Sequence, residues 1–156
     1  FLKAIKNPEA MTDRQQIERV QLASSLLERR GETESAVRYL SELLKAWAGL
    51  PELLAEPYYD LAQLEIRQKK EDDAILSLEK VDRLMKDSGK VSELTHSKAL
   101  ENLGHLYAQK GQQEKALKAY ESLLNLYEKK RPLSYYRYQV GKIYFQNKQD
   151  VLCSCY

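Results

Sequence analysis

The sequence has few of the residues that interrupt or cross-link a chain. Four prolines and six glycines in 156 residues leave little room for a long flexible linker. No apolar run approaches the roughly 18–20 residues that a membrane span requires. The formal net charge of +2 is close to neutral for this length, so it predicts no strong attraction to nucleic acid or to an anionic membrane. We therefore expect one compact domain that neither binds nucleic acid nor inserts into a membrane.

Cysteine is almost absent, because Cys153 and Cys155 are the only two and both stand near the end. A separation of two residues is too short for an easy, strain-free disulfide between them. A metal or redox site would need further ligands nearby, and the sequence offers none. We interpret the pair as free thiols and predict no cofactor. Because the chain begins at Phe1 and not at Met, we also expect it to be a piece of a longer protein.

Two periodic runs between Ser97 and Lys130 dominate what the sequence does contain. Their apolar residues recur at spacings of three and four, which is typical of amphipathic helices. Gly111 lies between the runs and can adopt a positive φ at little cost, so the chain can turn back on itself there. The apolar positions are Leu100, Leu103 and Tyr107 in the first run and Ala116, Tyr120, Leu123 and Tyr127 in the second.

This stretch resembles the tetratricopeptide repeat, in which L-G-x-x-Y is followed by a turn glycine and then by A-x-x-x-[FY]. The resemblance implies an all-α fold, a right-handed superhelical solenoid of antiparallel helix pairs with about three and a half repeats. It also implies that small anchor residues let neighbouring helices approach closely. The residues that carry the resemblance are Leu103, Gly104, Tyr107, Gly111, Ala116 and Tyr120.

The same slots recur along the chain and divide it into repeats. We predict a single tetratricopeptide-like domain over 1–156, with a partial helix and lead-in at 1–16. The repeats are predicted at 17–50, 55–88 and 92–131, and an incomplete fourth repeat at 134–156 has its first helix and at most a stub of its second. Either Asn7-Pro8 or Thr12-Asp13 begins the first complete helix. Ala36, Ala74 and Ala116 occupy the small anchor position and are expected to be buried.

Several single residues carry expectations of their own. The four tyrosines of the motif slots are expected in the core, with their hydroxyls at its edge; they are Tyr107, Tyr120, Tyr127 and Tyr144. Leu26 belongs to the apolar stripe of the first helix. His96 and His105 are nine residues apart, which does not suit a shared metal, so we expect both on the surface. Glu65 stands in a slot where the family has a large aromatic residue.

The resemblance further implies that the first helix of each repeat lines a concave, partner-binding surface. We expect a non-catalytic scaffold that binds a peptide segment or a partner domain there, because aromatic side chains beside amides suit an extended peptide. The alternative is an assembly module that stacks on another copy or on further repeats. No catalytic motif stands out, so we do not expect an enzyme. The partner-binding candidates are Tyr59, Gln63, Arg67, His105, Gln109, Tyr135, Tyr138, Lys142 and Phe145.

Overall fold

The computed structural model describes residues 12–130 and 132–153, and of 147–153 the helix backbone alone. The expected partial helix at the start of the chain and Cys155 lie outside these ranges. Within them the chain forms helices and no strands. The helices are α1 (Asp13–Arg29), α2 (Thr33–Ala46), α3 (Ala55–Arg67), α4 (Glu71–Ser88), α5 (Glu93–Gln109), α6 (Gln113–Tyr127) and α7 (Ser134–Cys153), with a short 3-10 turn at Pro51–Leu53 before α3.

The helices fall into two compact units that meet within α4, between Ser77 and Leu78. In the first unit α1 packs against α2, and α2 packs against α3. In the second unit α5 packs against α6, and α6 packs against α7. Each unit therefore consists of sequential helices that contact their neighbours, which is the pattern expected of helix-pair repeats.

The first helix begins at the second of its two expected starts. Thr12 is the N-cap of α1, and its side-chain oxygen accepts a hydrogen bond from the backbone N–H of Gln15. The side chain of Gln15 in turn accepts from the backbone N–H of Thr12 at 3.0 Å. This reciprocal pair, the capping box, satisfies two N–H groups that the helix itself cannot bond.

Tight turns with one residue at positive φ join the helices of each pair. The turn after α1 uses Gly31 (φ 81°), and the turn after α5 uses Gly111 (φ 71°). The turn after α3 has no glycine, and Lys69 takes the left-handed conformation there with φ 59°. The side chain of an L residue is sterically strained in that region, so the turn at Lys69 is the least favourable of the three.

The small anchor positions are buried as expected. Ala36, Ala74 and Ala116 are each 0% exposed. In the second unit Gly104 has a similar role, because a Cβ built on it would lie 2.2 Å from an atom of the Tyr120 ring. The helices therefore approach each other through positions that tolerate only small side chains.

Two expectations about single side chains, those for Tyr144 and His96, are wrong, and Leu26 of the apolar stripe of α1 is exposed. Tyr144 is 53% exposed, because α7 packs against α6 on one side and no described helix covers the other. Leu26 is 51% exposed for a related reason, since it lies at an open groove between α1 and α2. His96 is 2% exposed, because two polar partners let the imidazole enter the core.

The predicted incomplete fourth repeat, with at most a stub of a second helix, begins with α7. No turn interrupts the described part of α7, which runs as one helix of 20 residues to Cys153. Its buried contacts come from Ile143, and Leu133 just before the helix is buried as well. Leu133 joins a hydrophobic cluster with Leu100, Leu123 and Tyr127, so the start of α7 is fixed to the α5–α6 pair.

Candidate functional site

An aromatic cluster forms where α5, α6 and α7 meet. His105 of α5 lies 5.8 Å, between ring centroids, from each of Tyr120, Tyr135 and Tyr136. The Tyr120 hydroxyl and His105 Nδ1 are 3.2 Å apart, which is hydrogen-bond distance. Burial, together with the nearby Tyr135, raises the pKa of Tyr120 to about 12, so its hydroxyl stays protonated at neutral pH.

The cluster continues into an exposed row of side chains along α7. Tyr135, Tyr138 and Phe145 are 53%, 66% and 63% exposed, and Lys142 is also exposed. Their spacing of three, four and three residues places all four on one side of the helix. We call these four residues the α7 aromatic face. Large aromatic side chains that are more than half exposed and lie on one side of a helix are typical of interaction surfaces.

The remaining partner-binding candidates lie on α3 and at the end of α5. In the first unit Tyr59 and Gln63 are half-buried, and Arg67 is exposed and forms an ion pair with Glu28 of α1. In the second unit Gln109 is exposed at the C-terminal end of α5. The structure thus brings His105 together with Tyr135 at one end of the α7 aromatic face, whereas the α3 candidates belong to the other unit.

A buried polar network in the second unit was not foreseen from the sequence. The two ring nitrogens of His96 lie 2.7 Å from the Tyr127 hydroxyl and 2.9 Å from a carboxylate oxygen of Asp82. Asp82 also accepts from Lys86 at 2.5 Å. The network joins α4, α5 and α6. Because His96 is fully enclosed and both nitrogens have partners, it stabilises the fold and presents no open nucleophile or ligand.

The slot of the expected aromatic residue in α3 holds a second buried polar contact. Glu65 accepts a hydrogen bond from the Ser77 hydroxyl at 2.8 Å. Burial raises the pKa of the Glu65 carboxyl, and the hydrogen bond from Ser77 offsets this only in part. The Glu65–Ser77 pair therefore occupies the position where the family has a large aromatic ring. The only clue to this pair in the sequence is the serine twelve residues after Glu65.

The described residues contain neither a candidate metal site nor a candidate membrane-spanning helix. Among residues 12–130 and 132–153, no group of three or more His, Cys, Asp or Glu side chains is placed to hold a metal ion. Over the same part of the chain, no helix combines the length and the apolar character needed to cross a bilayer.

Comparison with known proteins identifies the repeat. The tetratricopeptide repeat model matches residues 97–130, which cover α5 from Ser97 onward, the following turn and the whole of α6. No curated protein sequence matches the chain.

Solved structures match over most of the chain. BtubC (BKLC) from P. vanneervenii superimposes with a TM-score of 0.74 at 19% identity, over 92% of this chain and 61% of that one. A putative kinesin light chain of Podosopora anserina with nearly identical TPR-like repeats gives 0.67 at 16% identity, over 90% of this chain and 70% of that one. The MamA RS-1 ArsTM double mutant gives 0.64 at 22% identity, over 90% and 69%. The chain thus has the all-α repeat solenoid fold, and it spans less than two thirds of the length of the BtubC chain.

Proposed function

We propose that this chain, which carries a tetratricopeptide repeat at residues 97–130, is a non-catalytic scaffold that binds a protein segment through His105 and the α7 aromatic face. Tetratricopeptide repeats serve in general as protein-interaction modules, and their fold is typically non-catalytic. The repeat alone supports a scaffold role but does not indicate which surface binds the partner. We infer the binding surface from the exposure of side chains on α7.

The exposure of three aromatic rings on one side of α7 is the observation that supports this choice of surface. Tyr135, Tyr138 and Phe145 are each more than half exposed. Rigid aromatic side chains provide a large contact area at a low cost in conformational entropy. Lys142 within the same row offers a charge that can fix the orientation of an acidic or carbonyl-rich segment. An extended peptide or a partner helix laid along α7 would bury all four side chains together.

A second candidate function is self-assembly through the uncovered side of α7. Tyr144 donates to Glu121 at 2.6 Å, much as Tyr107 donates to Glu79 one repeat earlier. Tyr107 is buried, whereas Tyr144 is 53% exposed. Gly141 likewise has no atom within 4 Å of a built Cβ. Among the described residues no helix covers this side of α7, and a helix from another copy could supply the cover.

A pull-down with the full chain as bait tests the scaffold role. Changing Tyr138 and Phe145 to serine removes two exposed rings and should not unfold the protein, because neither side chain is buried. We expect the yield of a bound partner to fall by at least about tenfold, since two such contacts contribute more than about 1.4 kcal/mol. The matched control changes Leu94 and Leu126, which are 58% and 53% exposed on α5 and α6, to serine.

The result separates the two candidates when sedimentation is measured alongside. Loss of the partner in the Tyr138→Ser/Phe145→Ser variant but not in the control supports the scaffold. An equal yield from the variant, the control and the unchanged chain contradicts it. Concentration-dependent self-association that Gly141→Leu abolishes would favour the assembly module instead.

A further inference from the structure

An open groove of about 890 Å³ runs between α1 and α2 in the first unit. Its apolar wall consists of Ala23, Leu26 and Leu27 from the second half of α1. Leu26 is 51% exposed although it belongs to the apolar stripe of its helix. The groove thus has an apolar wall on α1, and its volume suits a few side chains of a bound segment.

Unpaired cations line the same groove. Arg29 and Arg30 lie at the end of α1, and Arg38 lies on α2. None of the three makes an ion pair or a side-chain hydrogen bond to any residue that the structure describes. Glu32 and Glu42 also line the groove, so arginines exceed carboxylates there by one. A ligand that supplies carboxylates can form bidentate hydrogen bonds with these guanidinium groups, which have no side-chain partner among the described residues.

A buried hydroxyl adds a polar group to the groove. The Tyr39 side-chain oxygen is shielded from solvent and has no hydrogen-bond partner among the described residues. Burial raises the pKa of this phenol, while the nearby Arg19 lowers it and Glu42 raises it. A buried hydroxyl without a partner costs about 1–3 kcal/mol, and a bound acceptor would relieve this cost. A carboxylate or a backbone carbonyl meets the requirement.

We propose that the α1–α2 groove binds an acidic amphipathic peptide segment from a partner protein. Apolar side chains of the segment lie on Leu26 and Leu27, and its carboxylates pair with Arg30 and Arg38. An acceptor on the segment takes the hydrogen bond of Tyr39. The groove lies on α1 and α2, so the proposal does not depend on the role of the α7 aromatic face.

Charge argues against α7 of a second copy as the occupant. Residues 134–146 of α7 contain Arg137 and Lys142 but no aspartate or glutamate. Such a surface would bring more positive charge to Arg29, Arg30 and Arg38, which costs free energy. A partner segment that carries carboxylates suits these arginines better.

A pair of labelled peptides of about 15 residues, long enough to form a marginal helix, provides the test. Both carry leucines at helical spacing; one has glutamates on the flanks of this stripe and the other has lysines. Fluorescence anisotropy with the full chain measures binding at low and at high salt. The variant is Arg30→Glu with Arg38→Glu, both exposed positions, and the matched control is Arg83→Glu, an exposed arginine of α4 that does not line the groove.

We expect the glutamate peptide alone to bind, and its affinity to fall with salt as screening increases. The double reversal should weaken it at least tenfold, and neither Arg83→Glu nor Tyr138→Ser/Phe145→Ser should change it. Binding of neither peptide, equal binding of both, or an unchanged affinity in the reversal variant would overturn the proposal. So would self-association of the chain that the reversal abolishes, since the occupant would then be a second copy.

Discussion

At the scale of single residues, Gly104 and Gly141 occupy the same motif position but meet different surroundings. A Cβ on Gly104 would lie 2.2 Å from the ring of Tyr120, which is 1% exposed. A Cβ on Gly141 would have nothing within 4 Å. Glycine is therefore required for close packing at position 104 of α5. At position 141 of α7 it only lowers the intrinsic stability of the helix.

We expect the two Gly→Ala changes to act in opposite directions. Gly104→Ala gains about 1 kcal/mol of helix propensity but should lose about 1–3 kcal/mol or more to overpacking. The severity of the contact with Tyr120 leads us to expect a lower melting temperature. Gly141→Ala has no overpacking cost and should leave the melting temperature unchanged or raise it slightly. Thermal unfolding followed by circular dichroism measures both, and a Gly104→Ala protein as stable as the Gly141→Ala protein would contradict the close approach of α5 and α6.

At the scale of helices, the second unit is held together by polar contacts as well as by its apolar core. Asp82 on α4 reaches His96 on α5, and His96 reaches Tyr127 on α6. Burial by itself would raise the pKa of Asp82, but hydrogen bonds from His96 and Lys86, together with their charges, hold it below its ordinary value. Three consecutive helices thus share one buried network whose strength depends on an ionised carboxylate.

The pH dependence of stability follows from that lowered pKa. In the unfolded chain Asp82 takes up a proton near its ordinary pKa of about 3.9, whereas in the folded chain it does so only at lower pH. Its contribution is therefore present above about pH 4 and is lost as the pH falls through the folded pKa. Asp82→Asn should lower the melting temperature at pH 7, with about 2–4 °C for each kcal/mol lost. The difference in melting temperature between this variant and the unchanged protein should become smaller by pH 3. A difference that stays constant between pH 3 and pH 7 would contradict the network.

At the scale of the whole chain, the features that recur in each repeat could be predicted from the sequence. The helix pairs, the turn glycines and the burial of Ala36, Ala74 and Ala116 follow from local spacing, because each is fixed by neighbours within the same repeat. The burial of His96 and the exposure of Tyr144 do not follow from the spacing of apolar residues. Each depends on what packs against the residue from another helix, and a periodic pattern cannot distinguish a covered helix face from an open one.

The candidate sites illustrate the same division. The rings of Tyr135, Tyr138 and Phe145 could be singled out because they lacked a core position in the repeat pattern, and the structure describes them as exposed. The α1–α2 groove could not be found from the pattern, because Leu26 and Leu27 are typical core leucines by their spacing. The structure is needed to show that Leu26 is half exposed beside three arginines that have no ion pair with any described residue.

Site-specific photocrosslinking tests the central proposal, that the α7 aromatic face binds a partner, most directly. A photoreactive phenylalanine analogue replaces Tyr138 or Phe145 in the full chain, and as a control it replaces Leu94, which is equally exposed on α5. The account predicts a discrete crosslinked partner from positions 138 and 145 that an excess of unlabelled chain competes away, and no such product from position 94. Crosslinks of equal yield at all three positions, or a partner captured only at position 94, would contradict it.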